Sequence, residues 1–138
     1  MKNTTIRLFR LAALAALALA VSGCTAKKYR ESSDNLKQLS VAVIAYNEEN
    51  KAWPDSLAQL KPLIGKQGPL GVIGNGKDFA TLTKNPLTGD DPGYEYAKPA
   101  NPAASSTAIL LYQLNRGKRD SSLPVAFADG SVRPASAP

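Results

Sequence analysis

Cys24 is the only cysteine in this 138-residue chain, and the chain contains no histidine. Those two facts narrow the available chemistry. A lone cysteine forms no internal disulfide, and its thiol is open to acylation. Zinc sites and most nucleophile–base–acid triads lose their usual ligands and bases, which leaves carboxylates, lysines and hydroxyls. Asp90, Asp91 and Glu95, with the backbone carbonyls of residues 86–89, offer oxygen ligands of the kind calcium takes. Their spacing matches no EF-hand, and a solvated turn explains the same residues. Gly71-x-x-x-x-Gly76-Lys77 mimics most of a phosphate-binding loop. Asp78 stands where Ser or Thr would help hold magnesium, however, and no clear strand precedes the motif, so a flexible loop is the better account. Asp129 has no partner at a spacing that would make it catalytic.

Cys24 is positioned by a leader. Lys2, Arg7 and Arg10 form a positive start with no acid to offset it, and residues 11–21 are an unbroken apolar run of eleven. That is about half of the roughly 20 residues a membrane-spanning helix needs, and it suits the core of an export signal. Val21-Ser22-Gly23-Cys24 then resembles the bacterial lipobox, cut before a cysteine that carries diacylglycerol. Residues 1–23 are therefore expected to be a cleaved signal peptide. Ala18-Leu19-Ala20 also fits an ordinary cleavage site, and an uncut short anchor is a third option. The complete lipobox and the absence of any other cysteine favour acylation. Thr25 follows the cysteine where Asp would favour inner-membrane retention, so the resemblance implies the outer membrane, facing the periplasm.

Cleavage there leaves 115 residues, enough for one small domain. Three of the 17 basic residues and none of the 11 acidic ones leave with the leader, giving a mature charge of +3. Lys27, Lys28 and Arg30 sit close enough to the anchor to meet anionic headgroups. The remaining charge is of mixed sign, with no basic stripe interleaved with aromatics, so nucleic-acid binding finds no support.

Residues 24–31 read as a polar, acylated tether. From residue 32 the pattern predicts an amphipathic helix, with Leu36, Leu39, Val43 and Tyr46 at spacings of three and four. Ser32 or Ser33 is placed to cap it. Trp53-Pro54-Asp55-Ser56 breaks the chain, and Leu57, Leu60 and Leu63 mark a second, short helix. Residues 65–77 hold five glycines and read as loop. Phe79, Thr81 and Leu82 predict a brief strand, and residues 85–93 another turn-rich loop. Tyr94-Glu95-Tyr96, residues 108–114 and 125–128, and Ser131-Val132-Arg133 predict strands, the last two joined by Asp129-Gly130 as a type I′ hairpin. Trp53, Tyr94, Tyr96 and Tyr112 are expected in the core between helix and sheet, and residues 134–138 as a frayed tail. The whole is an α+β fold: a long N-terminal amphipathic helix packed on a small antiparallel sheet, over residues 32–133.

Asn35-Leu36-Lys37-Gln38-Leu39, Tyr46 and Trp53-Pro54-Asp55-Ser56-Leu57 with Leu60 resemble type IV pilin-like and pseudopilin domains. Asn85-Pro86-Leu87-Thr88-Gly89, Tyr94-Glu95-Tyr96 and residues 125–132 resemble the same group's C-terminal sheet. The resemblance implies a pilin-like fold and work beside a secretion or pilus-type machine. Its order differs in one respect: the apolar segment precedes the cleavage site, so the filament-forming shaft is expected to be lost. The reading that follows is a lipid-anchored envelope protein that is not an enzyme. It is held to the membrane by acylated Cys24 and binds or scaffolds an envelope protein. Two alternatives are a calcium-stabilised pseudopilin-like component of a type II secretion system, with Asp90, Asp91 and Glu95 as ligands, and a carboxylate-based hydrolase of envelope polymers.

Overall fold

The computed structural model describes residues 2–135, with side chains from residue 23 onward. The leader side chains and residues 136–138 of the expected tail lie outside the described residues. Helix α1 (Lys2–Asn50) is continuous. No proline or glycine lies between residues 24 and 50, and Ala, Lys, Glu and Leu are good helix formers. Residues 24–31, read above as a polar tether, are helical, and residues 23–30 are exposed. Ser32 and Ser33 consequently lie mid-helix and cap nothing. The helix ends where Lys51 takes a left-handed φ of 54° and returns its N–H to the Asn47 carbonyl at 2.8 Å, a common way to satisfy a last-turn carbonyl.

The chain then turns at Trp53-Pro54 into a 3-10 helix (Leu57–Leu63). Three residues per turn aligns Leu57, Leu60 and Leu63 on one side, and Leu60 and Leu63 are buried in the core. The glycine-rich stretch that follows folds into a small hairpin of β1 (Gln67–Gly68) and β2 (Gly71–Val72). Helix α2 (Phe79–Thr83) replaces the strand expected there. The Asp78 carboxylate accepts the Thr81 N–H at 2.7 Å, and this N-cap outweighs the weak strand preference of a five-residue segment.

The main sheet is antiparallel, ordered β3 (Tyr94–Tyr96), β4 (Ile109–Asn115), β6 (Val125–Phe127), β7 (Val132–Arg133), with β5 (Lys118–Arg119) pairing the end of β4. Ile109 faces Phe127 while Leu111 faces Ala126, so Leu110 is an extra residue in β4. This bulge lets adjacent Leu110 and Leu111 both be fully buried. Tyr94, Tyr96, Leu111, Gln113 and Ala126 share the helix-facing side by strand alternation and register. Tyr112 takes the opposite face, under the Arg119 guanidinium at 4.0 Å, and so is not in the helix–sheet core; period-two alternation next to Leu111 and Gln113 requires this. Leu36, Leu39 and Val43 are fully buried against the sheet, as their spacing predicts.

Helix and sheet run side by side. Near one end of the contact, Lys37 Nζ donates to the Gly130 carbonyl and Ile44 lies against Gly130. At the other, Ser32 meets Gln113, whose Nε2 donates to the Pro124 carbonyl at 3.0 Å. The sheet end carrying residues 113–124 thus lies where the N-terminal part of α1 leaves the domain. Residues 98–101 lie at the far end, where Trp53 Nε1 donates to the Asn101 carbonyl at 2.8 Å.

Candidate functional site

Cys24 is a free, exposed thiol on the projecting part of α1. Its surroundings are polar and cationic: Lys27, Lys28 and Arg30 are exposed, and Lys27 faces Glu31 at 3.9 Å. Eight residues separate Cys24 from Ser32, about 12 Å of helix. The thiol is open to solvent on this exposed stretch of the helix.

Where α1 enters the domain, four polar side chains from four segments meet in the core. Ser32 Oγ lies 2.6 Å from Gln113 Oε1 and 2.8 Å from Asn85 Oδ1. A hydroxyl has one proton, so those two oxygens share it. Asn85 Nδ2 donates to Gln113 Oε1 at 3.1 Å, and Tyr94 Oη donates to the Ser32 carbonyl at 3.0 Å. Asn85 Oδ1 also accepts the Leu87 N–H at 2.9 Å, which folds the loop after it into an Asx turn. Burial pushes the Tyr94 phenol up to about 12, because the phenolate would be stranded in a dry site. The cluster ties α1 to the loop at Asn85 and to strands β3 and β4, and so fixes the helix against the sheet.

Beside it, a cleft of about 500 Å³ opens between α1 and the 80–91 segment, lined among others by Glu31, Lys84 and Asp91. Its inner polar groups are committed to structure. Lys77 Nζ donates to Asp34 at 3.0 Å and to Asn35 Oδ1 at 2.6 Å, and Asn35 Nδ2 donates to the Thr81 and Lys84 carbonyls. Lys77 is thus turned to α1, not toward a phosphate cradle. Gly71 belongs to β2, and Asp78 is the cap of α2.

The three acids of the calcium expectation do not converge. Glu95 faces Arg119 with two hydrogen bonds, 2.7 and 3.0 Å, and these hold its carboxyl below the usual range. Asp90 Oδ2 accepts the Gly117 N–H at 2.8 Å, and Asp91 is exposed on the cleft wall. Among the described residues, no group of three or more acidic, histidine or cysteine side chains is placed to hold a metal ion. Asp129 keeps its turn role. Its carboxylate accepts the Ser131 N–H and Oγ–H, which holds its pKa low.

Sequence reasoning places Ser32 as a helix cap and Asn85 in a turn-rich loop, and does not bring them together with Gln113. Signals existed for two of them: Ser32 lies four residues before Leu36 on the buried helix stripe, and Gln113 alternates with Leu111 on the inner strand face. Comparison with models of known families, with curated proteins and with solved structures returns no match.

Proposed function

We propose that this chain is a bacterial envelope lipoprotein. Its signal peptide, residues 1–23, is removed, and acylated Cys24 holds it in the outer membrane facing the periplasm. Its domain, which we read as pilin-like, binds or scaffolds an envelope protein without catalysing a reaction. The observation that carries the reading is the chain's only cysteine directly after Val21-Ser22-Gly23, exposed on the unpacked part of α1. Each buried acyl methylene contributes about 0.8 kcal/mol, so two or three chains make a stable anchor.

A helix laid on an antiparallel sheet, with its N-terminal part projecting, supports the pilin-like part of the reading. The helical form of residues 24–31 sharpens it: the domain stands on a short stiff stalk. Labelling cells with a radioactive fatty acid tests the anchor. Wild-type protein takes up label and Cys24→Ser does not; equal labelling of the two removes the anchor. Crosslinking in intact envelopes tests the scaffold, and repeated failure to capture any protein beside the domain counts against it.

A further inference from the structure

We infer that the end of the domain from which the stalk emerges is a second, electrostatic contact with anionic lipid, centred on the hairpin between β4 and β5. The inference rests on Cys24 being the anchor. Arg116 (φ 54°) and Gly117 (φ 72°) form the tight two-residue turn of that hairpin, with Asn115 and Lys118 paired across it. Asp90 fastens the turn to the 84–93 loop through the Gly117 N–H, and Asn85 fastens that loop to Ser32 and Gln113. The hairpin is therefore fixed relative to the stalk.

Its reach follows from its register. Gln113 stands level with Ser32, and β4 runs alongside α1. From Gln113 to Arg116 is three residues, up to about 10 Å at strand rise. From Ser32 to Cys24 is about 12 Å at helix rise. The turn thus extends nearly as far toward the bilayer as the anchored cysteine does.

The charges on this end suit an anionic surface. Arg116 and Lys118 are exposed on the turn, and Lys28 and Arg30 are exposed on the stalk. None of the four has an ion-pair partner among the described residues. Of the acids at this end, Glu95 and Glu31 face Arg119 and Lys27, while Asp90 and Asp120 keep their charge and accept hydrogen bonds only from neutral groups, so the cationic excess lies at the turn tip and on the stalk. Asp91 stays exposed. Two cationic points, stalk and turn, hold the domain at one tilt on the membrane and present the residue 98–101 end outward.

Acylation leaves no other thiol, so an engineered cysteine can be labelled alone. Acylated full-length mature protein carrying a fluorophore at Ser121→Cys or at Ala100→Cys is reconstituted into phosphatidylcholine vesicles, with or without phosphatidylglycerol, containing a headgroup quencher. Quenching is expected to be stronger at position 121 than at 100 when phosphatidylglycerol is present, and the difference should vanish in about 0.5 M salt. Arg116→Gln and Lys118→Gln should each lower the docking equilibrium constant about fivefold. Equal quenching at both positions, or the same difference without anionic lipid, overturns the inference. Protein that floats with both vesicle types but shows no position dependence refutes this contact alone. Protein that floats with neither refutes the anchor and this contact together.

Discussion

Gln113 shows how a single side chain can set the position of a helix. Its Oε1 takes the Ser32 and Asn85 donors and its Nε2 satisfies the Pro124 carbonyl, all within a nearly dry core. Gln113→Ala leaves the Asn85 Nδ2 and the Pro124 carbonyl without this partner while Ser32 turns to Asn85 Oδ1, and stranded buried polar groups cost about 1–3 kcal/mol each. A loss of about 2–4 kcal/mol in urea unfolding is therefore expected, and a loss below about 0.5 kcal/mol would show that the cluster contributes little. Tyr94 gives the same region a pH signature. Its phenol ionises near 10 when unfolded and near 12 when folded, so the folded state holds the proton more tightly. That stability is complete below pH 10 and is lost as pH rises through about 12. Urea midpoints should fall over this window, and Tyr94→Phe should flatten part of the fall. An unchanged slope in the variant would contradict the burial argument. Tyr96, also raised by burial, accounts for further alkaline loss.

At the scale of elements, the order of helix, short helix and antiparallel strands was legible in the residues. The Leu36/Leu39/Val43 stripe and the alternation around Tyr94 and Leu111 carry enough hydrophobic period to be read directly. Local competition between turn chemistries was not legible. Phe79–Thr83 is a helix because Asp78 caps it, a side-chain bond that composition does not reveal. Asp129-Gly130 does form a hairpin, but with three loop residues. Only Gly130 among them has positive φ (79°), and the Phe127 N–H reaches the Ser131 carbonyl, the geometry of a turn with a glycine bulge. The two-residue turn belongs instead to Arg116-Gly117. Nor could spacing show how closely the loop at Asn85 passes strand β3. A Cβ on Gly93 would lie 2.3 Å from the Asn85 backbone nitrogen. Gly93→Ala should therefore cost about 2 kcal/mol or more and shift the Asn85 side-chain amide signals in NMR. A neutral substitution would mean that the loop moves aside freely.

For the molecule as a whole, residues 2–50 form one helix that runs into the core. The apolar run of residues 11–21 and the buried Leu36/Leu39/Val43 stripe sit on that single helix, so the proposed cleavage before Cys24 would leave the domain on a stalk of about 12 Å. Such a stalk transmits orientation, which a polar coil would not. A proline or paired glycines at residues 28–29 should therefore leave the fold's melting temperature nearly unchanged while loosening the domain from the membrane. Equal tumbling of the domain before and after that change, read by fluorescence anisotropy on vesicles, would contradict the stalk. All of this depends on Cys24 becoming the lipid-bearing N-terminus. Mass spectrometry of the mature N-terminal peptide, taken from the membrane fraction, tests it most directly. The expected peptide begins at Cys24 with diacylglycerol on its sulfur. A chain that retains the leader, begins elsewhere, or carries a free Cys24 thiol would contradict it.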